Sequence, residues 1–178
     1  MFVHSFERGS ENKISDFFRE VFEKSEGPDE GLLIGSLASE IFRSTEPYDF
    51  YCDVITENDQ IIASAFYTRL TYPSGVNTFV IGPVAVHHDF QRRGIGQKLL
   101  KTGISSKINS GMDYILTYGD PAFYGKVGFV LISEDDVKAP FRLSLPEGWL
   151  LYHPSADYRS DLAGNPNCVQ ALNDVRYW

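Results

Sequence analysis

The sequence predicts an α+β fold, a mixed central sheet flanked by helices, within a single domain spanning residues 1–178. Three observations predict it. Apolar residues recur at three- and four-residue spacings over 11–24, 29–43 and 95–108, the stripe of helices that dock on a core. Between the second and third of these stripes, β-branched and aromatic runs at 50–57, 61–72 and 77–86 read as strands. A strand, a short helix and another strand then follow in "DYILTY", "GDPAFYGKVG" and "FVLIS". A length of 178 residues suits one full hydrophobic core, and 43% hydrophobic with 22% charged residues is ordinary globular composition.

The first helix carries Ile14, Phe17, Phe18, Val21 and Phe22 on one face, and "SEGPDE" breaks it. The second carries Leu32, Leu33, Leu37, Ile41 and Phe42 and ends near Arg43, so two helices come first. "FYCDVITE" and "IIASAFYTRLTY" flank "ENDQ", which reads as a hairpin turn. In the next strand, "NTFVIGPVAV", Gly82 and Pro83 predict a bulge or a parting of strands, because proline cannot donate to a ladder. The third helix places Ile95, Leu99, Leu100, Ile104 and Ile108 on a broad apolar face and stops at Gly111. The strand at 113–118 is reached only across a whole helix, which predicts parallel pairing. Asp120 before Pro121 reads as an N-cap and first-turn pair, with Gly128 closing the short helix. From Ala139 onward the pattern is ambiguous: "FRLSLP" and "GWLLYH" fit strands, "PSADYRSDLAGNPN" a loop, and "VQALNDVRYW" either helix or strand.

Composition excludes several functions. A net charge of −8, from 16 Lys plus Arg against 24 Asp plus Glu, opposes nucleic-acid binding through a broad basic face and fits either a well-solvated surface, the commoner case, or attraction of a cationic substrate. Cys52 and Cys168 stand outside any metal-ligand spacing, so no metal is expected. "MFVHSFERGSENK" lacks the apolar core of a leader, and no stretch is long and apolar enough for a membrane span. A cytoplasmic protein with both thiols reduced is expected.

The chemistry concentrates in "QRRGIGQKLL", residues 91–100. A helix N-terminus offers unpaired amides and about half a positive charge, and Gly94 and Gly96 leave the approach bare. Arg92 and Arg93 add two full charges and Gln91 a neutral donor, a set that matches a ligand with several phosphate groups. A Rossmann site fails because Leu99 stands where the third glycine belongs and Asp113 precedes the next strand. A P-loop fails for want of GK[ST].

"VAVHHDFQRRGIGQKLL" resembles the acyl-coenzyme A binding motif of the GNAT acetyltransferase superfamily, a strand followed by [QR]-x-x-G-x-[GA] at a helix start, filled here by Gln91 to Gly96. "LTYGDPAFYGKVGF" resembles the later strand and short helix of the same family, with Phe123, Tyr124, Gly128 and Phe129 in its FY-x-x-x-GF pattern. The resemblance covers roughly residues 10–135 and is nearest to YhbS-like members.

It implies a GNAT-like acyl-CoA N-acyltransferase fold with a splayed pair of parallel strands, which accounts for Gly82 and Pro83. It implies acetyl-coenzyme A as cofactor. Val84, Ala85 and Val86 would pair with the pantetheine arm, while Gln91, Arg92, Arg93, Gly94, Ile95, Gly96 and Gln97 would hold the diphosphate, and Phe123 and Tyr124 would lie beside the thioester. It further implies an N-acetyltransferase working by direct attack of a small-molecule amine or exposed amino group, as monomer or homodimer, without nucleic acid or membrane partners. The Val86 amide would steady the oxyanion and Tyr124 would protonate the thiolate. The base stays open among His87, His88, Glu40 and a water chain, with Asp120 assigned to helix capping. A non-catalytic acyl-coenzyme A sensor is the alternative reading, and a toxin-like enzyme acting on charged tRNA is opposed by the acidic balance.

Overall fold

The computed structural model describes residues 2–152 and 157–178; residues 153–156, onto which the "GWLLYH" strand and the following loop extend in sequence, lie outside the described residues. The chain opens with a short strand that the sequence pattern did not reveal, β1 (Val3–Ser5). Helices α1 (Glu11–Glu26) and α2 (Pro28–Ser44) follow. The break between them is Gly27 alone, at φ +107°, with Pro28 restarting the helix, so "SEGPDE" is mostly helical. Proline suits a first turn, where its missing N–H would have no partner.

Strands β2 (Phe50–Glu57) and β3 (Gln60–Thr71) meet in a tight hairpin, in which Asn58 and Asp59 both take positive φ. These are the residue types that tolerate the left-handed region of a two-residue hairpin loop. β4 (Thr78–Val86), α3 (Ile95–Asn109) and β5 (Tyr114–Tyr118) complete the crossover. The short helix α4 (Pro121–Tyr124) runs into a 3-10 turn and β6 (Phe129–Leu131). β7 (Trp149–Tyr152), a four-residue helix α5 (Tyr158–Asp161) and β8 (Asn167–Cys168) finish the regular structure. "FRLSLP" forms no strand, and "VQALNDVRYW" resolves into two 3-10 turns, neither the helix nor the strand expected.

The strands hydrogen-bond in the order β1-β2-β3-β4-β5-β7-β6, with β8 added beside β3. β1 with β2, β3 with β8, β5 with β7 and β6 with β7 pair antiparallel, whereas β4 with β5 forms the parallel pair expected from the crossover. That pair runs from Thr78 opposite Tyr114 to Ile81 opposite Thr117, and β4 continues five residues beyond it. The parting therefore begins at Gly82, where φ is +154°.

The chain packs as two compact units. The first, residues 1–66 and 83–103, is organised by aromatic contacts among Phe6, Phe42, Phe50 and Phe66, with Phe18 of α1 seated on Phe66 at 5.4 Å. Gly31 and Gly35 let α2 lie close on α1: a Cβ at Gly31 would stand 2.5 Å from the Glu23 Cβ and 2.8 Å from the Arg19 carbonyl. The second unit, residues 67–82 and 104–178, is centred on fully buried Trp149, whose indole donates to the Val137 carbonyl at 2.9 Å and meets Trp178 edge-on. The tail is thus part of a core. On α3, Ile95, Leu99, Leu100 and Ile104 are buried as expected, whereas Ile108 is 36% exposed at the helix end.

Candidate active site

From Ile81 to His88 burial alternates strictly, with Ile81, Pro83, Ala85 and His87 buried and Gly82, Val84, Val86 and His88 less covered. Successive residues of a strand also turn their backbone groups to opposite edges. The His87 amide donates to Ile62 on β3 at 2.8 Å, so Val84 and Val86 direct theirs to the other edge, the one that β5 covers only as far as Ile81. Ala85 faces β3 by the same alternation. Of the three residues expected to bind the pantetheine arm, two therefore present backbone groups to the uncovered edge. The Val86 carbonyl already accepts from Gln91 Nε2 at 3.1 Å. Gln91 closes the loop onto β4, a use of its side chain that the sequence reading did not foresee.

The loop after β4 passes through left-handed backbone at Arg92 (φ +59°) and Gly94 (φ +77°). Alternation of this kind turns consecutive amides toward one side, an anion-binding nest. A left-handed arginine costs roughly 1–2 kcal/mol. The first helical bond of α3 runs from the Lys98 amide to the Gly94 carbonyl at 3.0 Å, so the amides of Ile95, Gly96 and Gln97 come before any helical acceptor. Arg92, Arg93 and Gly94 are exposed, while Gly96 is buried. A Cβ at Gly94 would meet nothing within 4 Å, so glycine there answers to the positive φ and leaves the approach clear.

Beside the nest lies a cleft of about 240 Å³ lined by Glu57, Phe90, Arg93, Gly94, Ile95 and Lys98. The Arg93 guanidinium sits 5.5 Å from the Phe90 ring centre. Lys98, which sequence reasoning missed, is four residues from Gly94 and so lies one turn along the same helix face. That spacing was the available signal. Three cations, a nest and a helix start fit a diphosphate.

Tyr124 belongs to the second unit and is buried among Phe123 and Phe129, both edge-on to it, with its ring against Gly119. Burial raises its phenol pKa, opposed by a hydrogen bond with the Thr117 side chain and helped by the nearby Asp120 carboxylate. Thr117 Oγ1 donates its own hydrogen to the Ile81 carbonyl at 3.1 Å, so the proton in the Tyr124–Thr117 bond is the tyrosine's. The phenol is thereby tied to the last residue of the parallel pair. Phe123 is half-buried beside it.

Asp120 caps α4, accepting from the Ala122 amide at 2.8 Å. Glu40 is engaged by Arg43, and the hydrogen bonds from Arg43 and Ser44 hold its carboxyl below the usual range, which suits it poorly to base catalysis. His87 is buried, contrary to the solvated loop histidine typical of a strand end, and stacks on His88 at 4.1 Å between ring centres. One ring nitrogen of each and a carboxylate oxygen of Glu20 on α1 lie within 4.8 Å of one another. That spacing lets the three groups share a proton or a small cation. Cys52 is buried with its sulfur 3.4 Å from Ser64 Oγ, Cys168 is partly buried, neither is in a disulfide, and burial raises the Cys168 pKa away from nucleophilic use.

Residues 47–131 match the family model described as an acetyltransferase (GNAT) domain. Among curated proteins, the uncharacterized N-acetyltransferase YhbS of Escherichia coli K12 is 31% identical over 58 residues, 33% of this chain and 35% of its own length. The aligned stretch thus spans about a third of that relative. Among solved structures, E. coli YhbS in complex with CoA superposes with a TM-score of 0.78 at 18% identity, covering 97% of this chain and 92% of that one. A GNAT family acetyltransferase from Brucella melitensis in complex with acetyl-CoA gives 0.66 at 15% identity, with 97% of each chain covered. Tetrahymena GCN5 gives 0.64 at 18% identity, covering 89% of this chain and all of its own. At such identities the likeness speaks for the fold. Among the described residues no helix is long and apolar enough to cross a membrane.

Proposed function

We propose that this chain is an acetyl-coenzyme A dependent N-acetyltransferase acting on a primary amine, on the strength of the match of residues 47–131 to a GNAT acetyltransferase domain and of its GNAT-like fold. The observation that carries the reading is the loop at 91–97, whose left-handed Arg92 and Gly94 precede three helical amides without helical acceptors. A coenzyme A diphosphate is the ligand for which this charge and backbone arrangement is suited.

The amides from Arg92 to Gly96 bind the diphosphate, with Arg92, Arg93 and Lys98 neutralising it. Ile95 and Gln97 contribute through the helix start, and Gln91 through the loop closure it makes on Val86. The backbone of Val84 and Val86 pairs with the pantetheine arm, Ala85 holding the strand against β3. Acetyl-coenzyme A supplies a thioester: the amine lone pair forms the new C–N bond as the C–S bond breaks, one proton leaving nitrogen and one ending on sulfur. The Val86 N–H steadies developing charge on the carbonyl oxygen, a preorganised donor worth about 3–4 kcal/mol. Tyr124 supplies the proton on sulfur; its raised pKa keeps it protonated at neutral pH. Direct attack is preferred to an acetyl-enzyme because Cys52 is buried and burial raises the Cys168 pKa, away from the thiolate a nucleophile needs.

Calorimetric titration with coenzyme A tests the site. Arg92→Glu with Arg93→Glu abolishes binding if the nest holds the diphosphate, and undiminished affinity overturns it. Thiol release with a panel of primary amines tests the chemistry. Tight cofactor binding without release on any amine favours a non-catalytic sensor.

A further inference from the structure

The acceptor side is signalled by an unsatisfied nitrogen. His88 Nδ1 is buried and has no hydrogen-bond partner. Leaving such an acceptor unmade costs about 1–3 kcal/mol, so it is open to a hydrogen-bond donor brought by a ligand. Its neighbours define what that ligand is. His87 Nδ1 accepts from the Asp89 amide at 3.3 Å, which places the proton of neutral His87 on Nε2. His88 Nε2 lies 3.5 Å from Asp89 Oδ1, and a carboxylate there favours the proton on Nε2, leaving a lone pair on Nδ1. His87, stacked on His88 and edge-on to Phe90 at 5.7 Å, fixes the ring.

The third member of the cluster is an exposed carboxylate, Glu20. It lies on a groove of about 580 Å³ along α1, with Asp16, Arg19, Glu23 and Lys24 as the other lining residues. Arg19 pairs with Glu23 at 3.9 Å, which leaves Asp16 and Glu20 as the carboxylates facing an incoming cation. A ring nitrogen of His88 lies within 4.8 Å of a Glu20 carboxylate oxygen, so an ammonium held by Glu20 comes within reach of the ring.

We propose that His88 is the base for the acceptor amine, that Glu20 holds the amine as its ammonium ion, and that Asp89 is a positioning residue for the His88 ring. This rests on the N-acetyltransferase reading. An N–H bond of the ammonium breaks, an Nδ1–H bond forms, and His88 becomes an imidazolium facing Asp89. The neutral amine keeps the lone pair that attacks, and the imidazolium returns a proton to solvent once transfer is complete. The groups facing His88 are His87 and Asp89 from the turn and Glu20 from α1, with Asp16 on the groove.

Steady-state thiol release with n-butylamine, putrescine and a lysine-containing peptide tests the assignment. His88→Ala lowers kcat about 100-fold at neutral pH, with coenzyme A affinity unchanged. The deficit shrinks as pH rises, because bulk solvent then deprotonates the amine. Glu20→Gln raises the amine KM about tenfold with little change in kcat, and Asp89→Asn lowers kcat while shifting the His88 tautomer in ring ¹⁵N spectra. A His88→Ala enzyme matching wild-type kcat at every pH overturns the proposal and leaves the transferase reading intact. If no amine is acetylated by wild type, that reading fails, and ring ¹⁵N spectra still decide the site. n-Butylammonium then moves the His88 signals in wild type but not in Glu20→Gln, whereas an unmoved wild-type spectrum at saturating amine overturns the site.

Discussion

At the residue scale, two buried phenols set the response to alkali. Tyr124 is tied to Thr117, and Tyr72 donates to the Lys138 carbonyl at 2.7 Å; burial raises the pKa of both. A raised folded value means the stabilisation is complete below the unfolded tyrosine pKa of about 10 and is lost as pH climbs toward the folded value. Each unit of elevation is worth about 1.4 kcal/mol. The urea midpoint is therefore expected to be insensitive to these groups between pH 7 and 9 and to fall above pH 10. Tyr72→Phe flattens the fall, and a wild-type midpoint constant to pH 12 would contradict the account. For catalysis, Tyr124→Phe keeps the aromatic packing with Phe123 and Phe129 but removes the proton. Turnover is expected to drop about 100-fold with coenzyme A affinity unchanged, and full turnover would remove Tyr124 from the mechanism.

At the element scale, the α1–α2 pair depends on missing side chains. Alanine favours helix over glycine by about 1 kcal/mol, yet a Cβ at Gly31 would lie 2.5 Å from Glu23 and 2.8 Å from the backbone of Arg19 and Glu23. Neighbouring backbone cannot yield as a flexible side-chain tip does, and overpacking of this kind costs about 1–3 kcal/mol. Gly31→Ala is thus expected to lower the melting temperature by a few degrees, and a rise would show that the helices part freely. These glycines also mark a limit of the sequence reading. The stripes of α1 and α3 were legible because burial repeats with the helical period, and the hairpin because Asn58 and Asp59 are turn formers; on α2 the stripe holds at Leu37 and Ile41, but Leu32 is 56% exposed while Gly31 and Gly35 take the buried face. The loop at 91–97 was legible because glycines and arginines adjoin a strand and a helix. β1, of three residues, shows too little period to be seen. β7 was legible as a strand in "GWLLYH", but its place between β5 and β6 is set by contacts distant in sequence. The His88 cluster was hidden similarly: Glu20 is 67 residues from His87, so neither residue announces the other.

At the scale of the whole molecule, the proposed function makes net charge a factor in which amines arrive. The chain carries −8, while the nest concentrates arginine at the proposed cofactor site. A net negative field draws ammonium ions in, and its reach shortens from about 30 Å at 0.01 M salt to about 3 Å at 1 M. Attraction scales with substrate charge, so a dication gains more from the field than a monocation of similar size. With n-butylamine and putrescine as the pair, raising ionic strength from 0.01 to 0.5 M is expected to lower kcat/KM for both. The decline should be steeper for putrescine, whose second ammonium also meets Asp16 on the α1 groove. Asp16→Asn separates the local from the global contribution, since it removes one nearby carboxylate and leaves most of the net charge in place. It should flatten the salt dependence of putrescine and leave that of n-butylamine nearly unchanged. Equal slopes for the two amines in the wild type would mean that the overall acidity serves solubility alone and takes no part in choosing the acceptor.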